Sequence, residues 1–151
     1  IYPVEVGQFI SAALFKKHLE KEARIKPDFL FFPDEGAMKR YSKLFGIPFI
    51  YGQKERDWKT GEIKGLSVVG EVEKNKSYLI IDDICSRGGT FFHSASKLKQ
   101  LGAGDIYLYV SHCENTILDG ELIKSGLLNK VYTTNSIFTK QHELVEIVYQ
   151  F

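Results

Sequence analysis

The sequence predicts an α/β fold with an open, mostly parallel sheet flanked by helices. Two observations support this. Short apolar segments that suit buried parallel strands alternate along the chain with segments of helical periodicity. In addition, the apolar segment at 29–32 precedes a turn, a helical segment and another apolar segment, which is the order of a right-handed βαβ unit.

The bulk composition predicts one globular domain over 1–151. The chain has 151 residues, and its hydrophobic content of 44% is enough for a buried core. A net charge of +1 does not favour a nucleic-acid-binding surface, and no apolar segment has the length of a membrane span. We therefore expect neither a nucleic acid nor a membrane as a partner. Cys85 and Cys113 form neither a disulfide framework nor a zinc pattern, which makes a cytoplasmic location the simplest expectation.

The first half of the chain is predicted to supply a helix and one βαβ unit. Apolar residues over 4–23 recur at three- and four-residue spacings, which indicates an amphipathic helix. Pro27 and Asp28 end that helix, and the apolar segment at 29–32 is predicted as a buried strand. We then expect a turn at 33–36, a helix at 37–45 and a strand at 47–51.

The second half is predicted to continue the alternation. The segment 53–66 is rich in charged residues, so we expect it to be exposed and mobile. Beyond it we predict strands at 66–70, 78–81, 105–110, 131–134 and 144–149, a helix ending at Gly102, and a short helix at 120–125.

Three groups of polar residues are predicted to converge beyond the carboxyl ends of the strands, where open α/β sheets bind ligands. They are Asp34 with Glu35, Asp82 with Asp83, and Ser111 with His112. The first pair could bind Mg²⁺ or a sugar hydroxyl, or could simply begin a helix. His112 is more often a hydrogen-bonded strand-end histidine than a catalytic base.

The adjacent acids Asp82 and Asp83 are predicted to hold the hydroxyls of a sugar or to bind Mg²⁺ through oxygen. The alternative is that they cap the following helix, where Asp is favoured. An apolar strand before them and Gly-Gly-Thr after them favour the sugar site.

The loop from Cys85 to Thr90 is predicted to hold a phosphate, because it enters a helix N-terminus with unpaired N–H groups. Gly88 and Gly89 would let the backbone approach the phosphate closely. Ser86 and Thr90 would add hydroxyls, Arg87 would pair with the phosphate, and Cys85 would contribute its small size and its N–H.

Lys54 and Arg56 are candidates for charge neutralisation. On a mobile lid they would close over a polyphosphate and stabilise the transition state. Composition alone equally allows a solvated hairpin of mixed charge.

The segment from Ile81 to Thr90 resembles the phosphoribosyl pyrophosphate motif of the type I phosphoribosyltransferases, in which two acids precede a small-residue loop. A longer resemblance is to the C-terminal half of the ribose-phosphate pyrophosphokinases, which make phosphoribosyl pyrophosphate from ATP and ribose 5-phosphate. It is carried by the segments 33–40, 54–56 with 68–72, 82–90, and 102–112 with 133–137.

The resemblance implies a type I phosphoribosyltransferase-like fold, Mg²⁺ as cofactor, and roles for the candidate residues. Asp82 and Asp83 would hold the ribose hydroxyls, and 86–90 the 5-phosphate. Asp34 would lie near the reacting end of the sugar, and the metal ligands would be Asp34, Asp82 and Asp83. Lys54 and Arg56 would stabilise the pyrophosphoryl group as it moves from ATP to the 1-hydroxyl.

The chain departs from the family in four ways. Ser86-Arg87 replaces the usual Asp-Thr, Glu35 replaces a small residue, and Cys113 replaces Gly. The chain also lacks the N-terminal domain that supplies much of the ATP site, so we expect a part of a longer two-domain enzyme or a one-domain relative.

Two alternative functions are a stand-alone phosphoribosyltransferase that uses phosphoribosyl pyrophosphate to modify a nucleobase, and a non-catalytic regulatory homologue. Exposed aromatics such as Trp58 and Phe151 are compatible with a homo-oligomer, which we also expect.

Overall fold

The computed structural model of this chain describes residues 12–19, 21 and 25–150, apart from the side chain of Ile63. Within these residues, seven strands form one sheet in the order β3-β2-β1-β4-β5-β6-β7. Strands β2 and β3 form an antiparallel hairpin, and all other neighbours are parallel. The predicted open, mostly parallel sheet is therefore confirmed. The strands are β1 (Phe29–Phe32), β2 (Phe49–Arg56), β3 (Ile63–Val69), β4 (Tyr78–Cys85), β5 (Ile106–Cys113), β6 (Lys130–Thr134) and β7 (Val145–Tyr149).

Helices lie on both faces of the sheet. They are α1 (residues 12–19 and 21), α2 (Glu35–Phe45), α3 (Gly89–Gln100) and α4 (Glu121–Lys124), with a 3₁₀ helix at Asn115–Asp119 that the sequence did not predict. Phe15 of α1 and Tyr41 of α2 pack with Leu79 on one face. Phe91 of α3 packs with Ile80 on the other. The central strand β4 is therefore buried on both sides, which explains its uninterrupted apolar run.

The structure matches the predicted strand at 29–32 to the residue. The predicted turn at 33–36 is wrong in its second half, because α2 already begins at Glu35, where the Asp34 side chain caps it. Of the helix predicted at 4–23, residues 12–19 and 21 are helical, and the remainder lies outside the described residues.

The predicted ends of β4 and β5 are wrong, because both strands continue to a register pair between Cys85 and Cys113. Backbone pairing continues there past the uninterrupted apolar run of each strand, so the polar residues at 82–83 and 111–112 lie inside the strands. The charged segment 53–66 likewise has regular structure, because it forms most of the β2–β3 hairpin, and its role as a lid stays a prediction.

None of the described helices has both the length and the apolar character needed to cross a membrane.

Candidate functional site

A cavity of about 370 Å³ lies beyond the carboxyl end of β4, at the start of α3. It brings together most of the residues that the sequence singled out. Three come from separate parts of the chain: Asp34 from the start of α2, Lys54 from the hairpin and Asp82 from β4. The remaining lining residues are Ile84, Ser86, Arg87, Gly88, Gly89, Thr90 and Phe91. Asp83, Arg56 and His112 do not line it.

The loop from Cys85 to Thr90, predicted to hold a phosphate, requires glycine at one position. Gly88 is the N-cap of α3 and has φ +92°, a backbone conformation that favours glycine. A Cβ there would lie 2.8 Å from Leu122 Cδ2. No side chain of the described residues caps α3, so its first N–H groups are available to an anion. Because Gly88 occupies the cap, the alternative in which Asp82 or Asp83 caps this helix does not hold.

The side chains of Ser86 and Arg87 are bound to the segment that follows β5. Ser86 Oγ donates to Glu114 Oε2 at 2.5 Å, and Arg87 Nη2 donates to the carbonyl oxygen of Asp119 at 3.3 Å. Because these two side chains already have partners, the loop would bind an anion mainly through its backbone N–H groups. Sequence reasoning missed Glu114, although its position directly after β5, the neighbour of β4, placed it beside the loop.

The two adjacent acids have different surroundings. Asp82 lines the cavity, and its Oδ1 accepts a hydrogen bond from the backbone N of Asp83 at 2.8 Å. The carboxylate of Asp83 instead contacts α2, where the Tyr41 hydroxyl donates to Oδ1 and Arg40 Nη2 lies 2.9 Å from Oδ2. Sequence reasoning missed Arg40 and Tyr41 as site residues, although Tyr41 lies on the buried face of α2 with Ala37 and Phe45.

Burial raises the pKa of Asp82 to about 6. The negative charges of Asp83 and Asp34 add to this effect, while the N–H of Asp83 and the charge of Arg40 oppose it. A cation or hydroxyl donors in the cavity would therefore relieve unfavourable electrostatics.

The carboxylates also allow a test of the expected Mg²⁺. Asp34 and Asp82 face one cavity, but Asp34 Oδ1 already accepts from Ala37 N at 2.8 Å. Within the described part of the chain, no three His, Cys, Asp or Glu residues form a group that could hold a metal ion. Two carboxylates do not make a protein cage for a metal, so a Mg²⁺ at this cavity would have to take its other oxygens from substrate and water, as this ion usually does.

The two cations of the predicted lid point to different places. Lys54 lines the site cavity and also a larger cleft of about 590 Å³ between the hairpin and α3. Arg56 Nη1 donates to the carbonyl oxygen of Gly61 at 3.1 Å, near the tip of the hairpin. At that tip Trp58 is 86% exposed.

The remaining candidates have structural surroundings. A side-chain hydrogen bond with Cys113, together with burial, raises the pKa of the Cys85 thiol, so this group is neutral at pH 7 and suited to packing rather than to nucleophilic attack. His112 Nδ1 lies 2.7 Å from Ser136 Oγ, which agrees with the expectation of a hydrogen-bonded strand-end histidine.

Comparison with known proteins identifies relatives. No family model matches the chain. It is 29% identical to the ribose-phosphate pyrophosphokinase of Staphylococcus haemolyticus over 144 residues, which covers 90% of this chain and 43% of that protein. It is 32% identical to the enzyme of the same name from Pyrococcus abyssi over 121 residues, which covers 78% of this chain and 41% of that one. The chain thus spans less than half the length of the relatives it matches.

Solved structures agree on the fold. Phosphoribosylpyrophosphate synthetase from Mycobacterium smegmatis superposes with a TM-score of 0.67 at 20% identity, over 94% of this chain and 46% of that one. Adenine phosphoribosyltransferase from Saccharomyces cerevisiae superposes with a TM-score of 0.57 at 20% identity, over 83% of this chain and 78% of that one. The predicted type I phosphoribosyltransferase-like fold is confirmed.

Proposed function

Since the predicted resemblance to the ribose-phosphate pyrophosphokinases is confirmed over 90% of the chain, we propose that it is the sugar-phosphate-binding domain of such an enzyme. The reaction would transfer pyrophosphate from ATP to the 1-hydroxyl of ribose 5-phosphate. Because the chain covers 43% of its relative from Staphylococcus haemolyticus, we place much of the ATP site in a second domain of the complete enzyme. The cytoplasmic location and the homo-oligomer stay predictions.

The observation that carries the proposal is the single cavity that joins the phosphate loop, Asp82, Asp34 and Lys54. The backbone at 86–90 and the start of α3 would hold the 5-phosphate. Asp82 would accept hydrogen bonds from the ribose hydroxyls. These two contacts would fix the sugar at both ends and place its 1-hydroxyl toward Asp34 and the hairpin.

In the proposed reaction the 1-hydroxyl oxygen forms a bond to the β-phosphorus of ATP, and the bond from that phosphorus to the α-phosphate oxygen breaks. AMP leaves with the bridging oxygen and the electron pair of the broken bond, and the proton of the hydroxyl passes to solvent water. Lys54 would offset the negative charge on the moving group, whereas Arg56 would first have to leave the carbonyl oxygen of Gly61. A bound Mg²⁺ would supply further charge neutralisation near Asp34 and Asp82.

The binding step is tested by calorimetric titration of this chain with ribose 5-phosphate in the presence of Mg²⁺. We expect Asp82→Asn to weaken binding by about tenfold or more, because a charge-assisted hydrogen bond is lost. Asp105→Asn is the matched control, since Asp105 precedes β5 at the opposite edge of the sheet and accepts from Asn129. Equal affinities of the two variants would contradict the assignment of Asp82.

The chemical step is tested with the complete enzyme. ATP, Mg²⁺ and ribose 5-phosphate should yield AMP, and no AMP would refute the synthetase. Release of pyrophosphate from phosphoribosyl pyrophosphate with a nucleobase, without ATP, would instead indicate a phosphoribosyltransferase. Sugar-phosphate binding without either reaction would indicate a non-catalytic homologue.

A further inference from the structure

Two side chains of α2 hold the carboxylate of Asp83. The Tyr41 hydroxyl donates to its Oδ1, and Arg40 Nη2 lies 2.9 Å from its Oδ2. Each oxygen of Asp83 thus has a donor from the protein, and the contact with Arg40 is charge-assisted. Tyr41 is 2% exposed, so its hydroxyl would be left buried without a partner if Asp83 turned toward a ligand.

Asp82 is oriented by its neighbour. Its Oδ1 accepts from the backbone N of Asp83 at 2.8 Å and lies 3.5 Å from Arg40 Nη2. Among the described residues no donor to its Oδ2 is found, and the residue lines the cavity. Because the N–H of residue 83 directs the Asp82 carboxylate, a shift of Asp83 would turn the oxygen that faces the cavity.

We propose that Arg40 and Tyr41 are positioning residues that fix Asp83 and thereby orient Asp82, the carboxylate that accepts the sugar hydroxyls. This inference rests on the proposed function, because it requires a phosphorylated sugar in the cavity. Neither Arg40 nor Tyr41 touches the sugar. The division of roles also separates the adjacent acids, since Asp82 contacts the ligand and Asp83 anchors the strand to α2.

The test compares calorimetric affinities for ribose 5-phosphate and for inorganic phosphate. The affinity for inorganic phosphate measures binding by the loop at 86–90 alone. The ratio of the ribose 5-phosphate affinity to the phosphate affinity measures the contribution of the hydroxyl contacts. We expect Asp82→Asn to bring this ratio close to one. Tyr41→Phe and Arg40→Gln should each lower the ratio by about threefold or more while phosphate affinity changes by less than about twofold. In the Asp82→Asn background neither change should lower the ratio further.

Two control variants separate positioning from general effects. Lys39→Gln removes a neighbouring cation of α2 that pairs with Glu35 at 3.4 Å and is largely exposed. Tyr78→Phe removes the hydroxyl of a buried tyrosine that accepts from Glu73 N at 2.8 Å. Both should keep the wild-type ratio.

The inference is overturned if Tyr41→Phe and Arg40→Gln keep the wild-type ratio. It is also overturned if they weaken phosphate and ribose 5-phosphate equally, which would indicate a structural effect alone. The same drop in the Asp82→Asn background would show that they do not act through Asp82. A wild-type ratio near one would instead contradict the proposed function, and the inference would fail with it.

Discussion

Replacing Gly88 by alanine tests whether the phosphate loop depends on one backbone conformation. The residue has φ +92°, and an alanine there costs about 1–2 kcal/mol in the left-handed region. The added Cβ would lie 2.8 Å from Leu122 Cδ2 and 3.0 Å from Leu122 Cβ. Overpacking of this kind costs about 1–3 kcal/mol. We therefore expect Gly88→Ala to lower the free energy of unfolding by about 2–5 kcal/mol, a large part of the stability of a typical domain.

The measurement is urea unfolding followed by circular dichroism, with inorganic phosphate binding measured by calorimetry on the folded protein. Gly89→Ala is the matched control for stability, because its Cβ would meet nothing within 4 Å. We expect that variant to change the free energy of unfolding by less than about 1 kcal/mol. Gly88→Ala should also weaken phosphate binding, because relief of the contact with Leu122 moves the loop. Equal stability of the two variants would refute the reasoning.

Three further predictions concern charge and packing. Glu114→Gln should tighten inorganic phosphate binding by about threefold or more in calorimetry, because it removes a negative charge 2.5 Å from Ser86 Oγ; unchanged affinity would contradict this. Phe15→Ala should lower the free energy of unfolding, measured in urea, by about 3–5 kcal/mol, since the buried Phe15 ring stacks on the Tyr109 ring with 4.2 Å between the ring centroids. A loss below about 1 kcal/mol would contradict this packing. The folded pKa of Asp82, about 6, exceeds the ordinary Asp value of 3.8, so its carboxyl destabilises the unliganded protein as pH rises from about 4 to 6, by up to about 3 kcal/mol. In urea titrations Asp82→Asn should lack this loss, and parallel pH profiles of the two proteins would refute it.

Several features were predictable because they depend on short stretches of sequence. The strand predicted from the apolar segment at 29–32 has the bounds that the structure shows. The loop and the start of a helix predicted from the residues around Gly88 are also present. The alternation of strands and helices sufficed for the fold class. The same alternation predicted that Asp34 and Asp82 lie close together, because the carboxyl ends of parallel strands share one edge of the sheet, and both residues line one cavity.

Element ends were less predictable, because they depend on pairing partners. The sequence pattern of β4 stops at its last apolar residue before the acids, whereas backbone pairing with β5 continues to Cys85. Most of the segment 53–66 likewise lies in strands because β2 and β3 pair with each other, which its charged composition did not predict.

The sequence by itself determined the α/β class, the glycine loop that begins α3 and the pair of acids, because these follow from local periodicity and from residue type. Only the tertiary structure decided that Asp82 faces the cavity while Asp83 is held by Tyr41, which lies 42 residues away in the chain. The tertiary structure also brought the Glu114 carboxylate into a hydrogen bond with the Ser86 hydroxyl, although the two residues are 28 positions apart in the chain. Such contacts depend on how α2 and the segment after β5 pack on the sheet, and this packing is set by the core as a whole.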